Sequence, residues 1–449
     1  MPSPIDRPHG PKNPPILGHL AAFRRNPLSF LTRMAEQYPD LCYFRLGNQD
    51  LYFINHPDLI KEVLVTQQPN FRKSRILQRS KILLGEGLLT SEGEHHLRQR
   101  RLVQPAFHRD RLTGYATAMS QLVARTSCSW VDGETRDMHQ EMARLTLAIV
   151  ARTLFSADVD ADADAIGESM SAVLGLFQLA LLPFSELLVK LPLPATRRFQ
   201  KAKAQLDRII YRLIEERRAS GTDTGDLLSM LILAQDEEAG TGGMTDKQVR
   251  DEALTLFLAG HETTANALTW AWYLLSQNPS AEAAFHNEID NVLRTRDPQF
   301  EDLPQLRYTR GVFAESMRLF PPAWAIGRMT TGEISLGGYR VPKDNIVLMS
   351  PYITHRDPRY WADPLEFRPE RFTGEKEAER SKFVYYPFGG GSRICIGERF
   401  AWMEGVLALA AIGRRWRLRL AKGQAVEPFA QITLRPRFGM KMRIESRLP

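Results

Sequence analysis

YYPFGGGSRICIGERFAWMEG (Tyr385 to Gly405) sets a single cysteine, Cys395, between a run of glycines (Gly389, Gly390, Gly391) and an amphipathic helix beginning near Gly397. Glycines let a backbone pass close to something flat or bulky. A helix N-terminus beside Arg393 offers N–H donors and positive potential that favour a thiolate over a thiol. The stretch therefore reads as a thiolate site. Taken alone, a lone cysteine behind a loop is more often a small buried hydrophobe. A phosphate-binding loop is a poor rival, because no GxxxxGK[ST] pattern follows the glycines.

Upstream, Thr245-x-x-Gln248 is a capping box and Pro279 is a stop, which predicts one helix from Asp246 to Asn278. At ~1.5 Å per residue it would be about 50 Å long. Its middle is apolar nearly all round and so reads as buried. At its centre stand Gly260, His261, Glu262, Thr263 and Thr264. Polar groups in a buried helix need partners or a function. A zinc site of the HExxH type is rejected, because Ala265 occupies the second histidine position.

Phe388-Gly-Gly-Gly-Ser-Arg393-Ile-Cys395-Ile-Gly397 resembles the haem-binding signature of the cytochrome P-450 superfamily, and further motifs extend the resemblance from about Pro14 to Arg443. The resemblance implies haem b with Cys395 as axial thiolate, Phe388 beside the sulfur, amides near Ile396 and Gly397 donating to it, and Arg393 on a propionate. Sulfur ligation pushes electron density through the iron and favours O–O cleavage. Ala259-Gly-His-Glu-Thr-Thr264 looks like the oxygen-activation segment. There the small Gly260 would leave room over the haem, and Glu262 with Thr263 would form the acid-alcohol pair that relays protons.

Glu315-Ser-Met-Arg318 and Pro369-Glu-Arg371-Phe372 are similar to the family's structural network, which implies that Glu315, Arg318 and Arg371 are buried together rather than paired in solvent. Gly93-Glu-His-His-Leu-Arg-Gln-Arg-Arg101 matches a segment that usually carries Trp and Arg around the haem. His96 stands at the Trp position and Arg100 at the Arg. Both are expected to reach a propionate, with the charge of His96 depending on pH. Arg98 and Arg101 read as solvated, and Arg328 matches a further propionate position.

The rest of the 449 residues constrains the reading. Hydrophobic residues at 43%, charged residues at 25%, Gly 30 and Pro 28 exclude disordered, collagen-like and disulfide-scaffold classes. Cys42, Cys128 and Cys395 are too few and too widely spaced for a disulfide framework or a CxxC metal site, which points to a reducing, cytoplasmic location. The Pro-rich start, Met1 to Leu20, has no apolar run of signal or span length. The most apolar stretch, Leu254 to Leu275, is broken by His261, Glu262 and Asn266, so no membrane span is expected.

No repeat or linker divides the chain, so one domain over 1–449 is expected: mainly α with small β-sheets, the cytochrome P-450 fold with haem between the long helix and the cysteine loop. A β-rich edge is expected near 41–56. Helices are expected near Asp110 to Trp130, His139 to Phe155, Ile166 to Leu182 and Ala195 to Arg218.

The resemblance implies a monooxygenase that inserts one oxygen atom of dioxygen into a C–H bond. About fifty residues after Cys395 leave no room for a reductase domain. Electrons from NAD(P)H would therefore come through a ferredoxin or flavodoxin with its reductase. The net charge of +7, with Arg98, Arg101, Arg399 and Arg414, suits an acidic carrier better than nucleic acid. The pocket would be lined by Leu84, Leu88, Leu258, Ala259, Ala323, Ile326 and Ile432. These are apolar, which favours a lipophilic substrate such as a fatty acid, terpenoid or steroid. Motif similarity points first to the fatty-acid hydroxylase branch. The loop Leu181 to Pro194 is expected over the entrance, and the protein is expected to be a monomer. Rival readings are a peroxide-driven or lipid-rearranging haem-thiolate enzyme, against which Glu262 and Thr263 argue, and a non-catalytic haem sensor or carrier.

Overall fold

Thr245 and Gln248 close the capping box: Gln248 N donates to Thr245 Oγ1 at 3.3 Å, and Thr245 N donates to Gln248 Oε1 at 2.9 Å. The long helix starts there and runs Asp246–Gln277, 32 residues. It stops one residue short of the sequence reading. Asn278 leaves the helix at φ −128°, ψ 81° because Pro279 bars helical geometry at the residue before it. These features come from a computed structural model that describes residues 7–157, 194–234, 243–374 and 380–447. The expected helix Ile166 to Leu182 lies outside the described residues, as does all but the last residue of the loop Leu181 to Pro194.

Around the long helix pack Met138–Phe155, Pro194–Ser220, Arg307–Leu319 and Glu398–Arg415, and Arg109–Cys128 packs against the last and the first of these. Their shared core centres on Trp270, Trp272, Phe285 and Phe313, each at most 2% exposed. Trp270 stacks on Phe320 with centroids 4.1 Å apart. Truncating such a ring costs about 3–5 kcal/mol, so this helix is held mainly by packing. No helix among the described residues is long and apolar enough to cross a membrane.

Strands are the smaller part. Leu41–Leu46 and Gln49–Ile54 form the expected hairpin at the edge of a five-stranded sheet. Next to it come Ile346–Met349, then Ile326–Thr330, then Phe71–Lys73. A second hairpin, Pro428–Ala430 with Leu434–Pro436, hangs from Trp324 and Pro322 by Trp324 Nε1 to Gln431 O at 2.8 Å and Leu434 N to Pro322 O at 3.0 Å.

Glu315 and Arg318 are both wholly buried and joined by two hydrogen bonds, Nε to Oε2 at 2.7 Å and an outer nitrogen to Oε1 at 2.8 Å. Arg318 also donates to the carbonyls of His355, Pro364 and Glu366, and Arg371 Nε lies 3.3 Å from Glu315 Oε1. A buried ion pair is tolerated when its remaining donors are satisfied in this way. The network ties the helix Arg307–Leu319 to the segment leading into the cysteine loop.

Candidate active site

The loop around Cys395 is shaped by its glycines and by one backbone bond. Cys395 N donates to Phe388 O at 3.0 Å. Gly391 has φ +68°, and a Cβ there would sit 1.9 Å from Leu64 O, so only glycine closes the turn against that segment. Gly397 caps the helix Glu398–Arg415, and its amide is directed at the sulfur. The Cys395 side chain is exposed and yet deep within the protein, so it faces internal space. Burial pushes its thiol up to about 11, against the lowering effects of Gly397 N–H and Arg100. A metal cation bound at the sulfur would favour its deprotonated form.

Arg393 is engaged with the segment before the helix Gly93–Val103. Its guanidinium donates to Ser91 O at 2.8 Å and pairs with Glu92. The cation beside the sulfur is Arg100, which donates to Ile394 O at 2.8 Å. Phe388 lies 5.8 Å from Trp402, ring to ring, and the Arg310 guanidinium sits over that indole, 4.9 Å from its centroid.

Arg328, Arg393 and His96 gather with a lysine that the motifs had not pointed to. Lys73 is 6% exposed, and its ammonium donates to Leu88 O at 3.4 Å and to Leu89 O. Burial, then Arg393 and Arg328, push it down to about 7. Arg328 is pushed down to about 10 by burial and Arg393. His96, 3% exposed, is pushed down to about 3 by burial and then by Arg393, Lys73 and Arg100. Burial and the neighbouring cations thus disfavour the charged form of His96. Glu92 gives partial compensation, accepting from Lys73 N at 2.7 Å and Gln78 Nε2 at 2.9 Å.

On the long helix the residues either side of the centre are buried, but Leu258, Ala259, Gly260, Glu262 and Thr263 keep accessible surface. Thr263 Oγ1 donates to Ala259 O at 2.8 Å. Thr264 points the other way, 3% exposed, beside the wholly buried Glu404. Glu262 Oε1 accepts from Thr433 Oγ1 at 2.7 Å, and burial raises its carboxyl above the usual range. A Cβ on Gly260 would meet Val150 Cγ2 at 3.0 Å. That glycine therefore serves the approach of the helix Met138–Phe155, and Ala259 is the more open small residue.

Of the expected pocket residues, Ala323 and Ile326 are partly accessible, with Ile326 Cδ1 3.9 Å from a Cβ built on Gly389 of the cysteine loop. Leu84 and Leu88 are buried, and Leu88 N donates to Glu252 at 2.9 Å, which moors that segment to the long helix. Ile432, 40% exposed, sits in the second hairpin next to Thr433.

A family model described as Cytochrome P450 matches residues 8–441. The chain belongs to the cytochrome P450 family. Over 423 residues it is 45% identical to cyclooctatin synthase of Streptomyces melanosporofaciens, covering 94% of this chain and 92% of the relative. Cyclooctat-9-en-7-ol 5-monooxygenase of the same organism is 40% identical over 415 residues, covering 92% and 90%. Pentalenene oxygenase of Streptomyces avermitilis is 35% identical over 437 residues, covering 97% and 96%. The protein is accordingly a cytochrome P450 monooxygenase, and its family cofactor is a haem with thiolate-ligated iron.

The residues of this cytochrome P450 fit that group. A buried cluster in which Arg393 and Arg328 depress Lys73, and Arg393 depresses Arg328, calls for anionic charge, which haem propionates carry. Cys395 offers an accessible sulfur in the interior, and the long helix offers small and polar surface at mid-length. Two further residues escaped sequence reading. Lys73 is hidden in an ordinary-looking Phe-Arg-Lys strand, and Thr433 lies 171 residues from Glu262, where no local pattern signals it. One expected docking residue is withdrawn. Arg414 is 7% exposed and held by Asp297 and Thr295 O, so it cannot face a carrier.

Proposed function

We propose that the chain, as one domain over 1–449, hydroxylates a largely apolar terpenoid, with electrons delivered from NAD(P)H through a separate ferredoxin or flavodoxin. In this reading Cys395 would hold the haem iron through its sulfur, and Lys73, Arg100, Arg328, Arg393 and His96 would hold the propionates. Glu315, Arg318 and Arg371 keep the surrounding segments in place. The carrying observation is the buried cationic cluster that lies next to the accessible Cys395. When bound, the haem supplies reductive cleavage of dioxygen and insertion of one oxygen atom into a C–H bond.

The chain's own residues supply the setting. Gly397 N–H stabilises negative charge on sulfur. Thr263, whose proton is engaged with Ala259 O, keeps its lone pairs free to accept from a donor in the pocket. Burial raises the Glu262 carboxyl above the usual carboxylate range, which favours its holding a proton beside the pocket. Leu258, Ala259, Ala323 and Ile326 offer hydrocarbon contact with few polar anchors, which suits a substrate recognised by shape.

The relatives' names move the substrate choice away from fatty acids. Pentalenene and cyclooctat-9-en-7-ol are terpenoid skeletons, and the relatives named for them align along nearly the whole chain. The test is a panel of cyclic sesquiterpenes, diterpenes and long-chain fatty acids, read by substrate-induced shifts of the haem spectrum and by product analysis with surrogate redox partners. Saturable shifts and hydroxylated product with terpenoids support the reading. Turnover of fatty acids with no terpenoid response would overturn it.

A further inference from the structure

Glu262 is the inner end of a row of side chains from separate parts of the fold. Its Oε1 accepts from Thr433 Oγ1 at 2.7 Å. Thr433 Oγ1 accepts from Asn266 Nδ2 at 3.1 Å, and Asn266 Oδ1 lies 3.2 Å from His139 Nε2. Asn266 is 0% exposed and Thr433 6%, while His139 is half-buried in the first turn of the helix Met138–Phe155. The long helix, the second hairpin and that first turn thus meet in one hydrogen-bonded line from the pocket-facing acid towards the surface.

Such a line has a direction. A hydroxyl has one proton, and an amide has a donor end and an acceptor end. With His139 Nε2–H donating to Asn266, Asn266 donates to Thr433, and the Thr433 proton is left for Glu262, which accepts it as a carboxylate. In the opposite direction a protonated Glu262 donates to Thr433, Thr433 donates to the turned amide of Asn266, and the amide donates to His139 Nε2, whose proton then sits on Nδ1. Mixed directions strand a buried donor or acceptor.

We infer that Thr433, Asn266 and His139 are positioning residues for Glu262, and that the direction of their hydrogen bonds ties the protonation of its carboxyl to which ring nitrogen of His139 carries the proton. This rests on the reading that Glu262 delivers protons. The row acts on the tautomer of His139 through its Nε2 contact, and burial lowers the pKa of that ring. The other charged or titratable groups facing the row are Arg435, which faces both Glu262 and His139, and Asp137 and His261, which face His139.

The experiment uses the haem-loaded protein in its diamagnetic reduced carbon-monoxide form, with 15N-labelled histidine and no turnover. The Glu262 carboxyl is followed by the infrared C=O band that Glu262→Gln removes. The His139 tautomer is followed by its ring 15N shifts. On raising pH, the band should vanish and His139 should change from Nδ1–H to Nε2–H at one common midpoint. In Thr433→Val the midpoint of the band should move to higher pH and the His139 change should disappear. Thr433→Ser should restore both, and Asn266→Ala should break the link while leaving Thr433 in place. During turnover, Thr433→Val should release several-fold more peroxide and shift the pH profile of coupling upward. Unmoved midpoints and tautomer in Thr433→Val, with Glu262→Gln still uncoupling, would overturn the inference. A linked midpoint with Glu262→Gln fully coupled would uphold the linkage and remove Glu262 from proton delivery instead.

Discussion

Lys73 and Arg328 are register partners on adjacent antiparallel strands, so the fold itself sets two cations side by side in a buried place. Directly opposed like charges on one face of a sheet are destabilising. Without an anion, the lysine is driven down to about 7, with burial as the largest cause. The charged ammonium is thus disfavoured in the haem-free protein. The penalty is complete below about pH 7, fades as pH rises toward the ordinary 10.5, and is absent above it.

Haem propionates would restore the charge and remove that slope. Reconstitution near pH 8 should therefore take up about one proton more in the wild type than in Lys73→Met. Calorimetry in buffers of different ionisation enthalpy reads the difference directly. Loss of a charge-assisted contact worth about 1.5–3 kcal/mol should also speed haem transfer to an acceptor protein by roughly ten-fold or more. Equal proton uptake in both proteins would place the propionates elsewhere.

Glu315→Ala and Arg318→Ala should each yield little or no folded, haem-loaded protein. Each strands the partner charge at 0% exposure, at a cost of about 3–5 kcal/mol. Thermal melting and haem content check this. Near-native melting of either variant would mean that the network is dispensable.

Thr263 and Thr264 should part company. Thr263→Ala removes a hydroxyl on the accessible face, so haem content and substrate binding should persist while peroxide replaces hydroxylated product. Thr264→Ala removes a hydroxyl buried beside Glu404, whose carboxyl burial has already raised to about 8. It should lower the melting temperature and leave coupling nearly unchanged. Measured peroxide-to-product ratios for the two variants decide the register, and uncoupling by Thr264→Ala alone would shift it by one.

Gly391→Ala asks for a left-handed backbone and a Cβ placed 1.9 Å from Leu64 O. The cysteine loop should fail to close, and the variant should purify with little bound haem. Full haem content would show that the segment at Leu64 gives way.

How much of this was legible in sequence depended on distance along the chain. The cysteine loop, the capping box at Thr245 and the Glu315–Arg318 pair are local, so a few adjacent residues carry their geometry. Lys73 joins the cationic cluster only because Phe71–Lys73 pairs with Ile326–Thr330, and Thr433 meets Glu262 only through a hairpin hung from Trp324. Arg393 shows the same dependence on distance: its ion-pair partner is Glu92, on a separate segment. The end of the long helix was misread by one residue because backbone restriction before Pro279 outweighs continuity of the apolar pattern.

The central claim is that Cys395 ligates the haem iron as thiolate, and the absorption spectrum of the reduced carbon-monoxide complex tests it most directly. The wild type should show the long-wavelength band of a thiolate-ligated haem, because sulfur donates more electron density to iron than imidazole does. Cys395→His should move that band to the shorter-wavelength position of histidine-ligated haem. A wild-type band already at the histidine position, or an unchanged band in Cys395→His, would contradict the account.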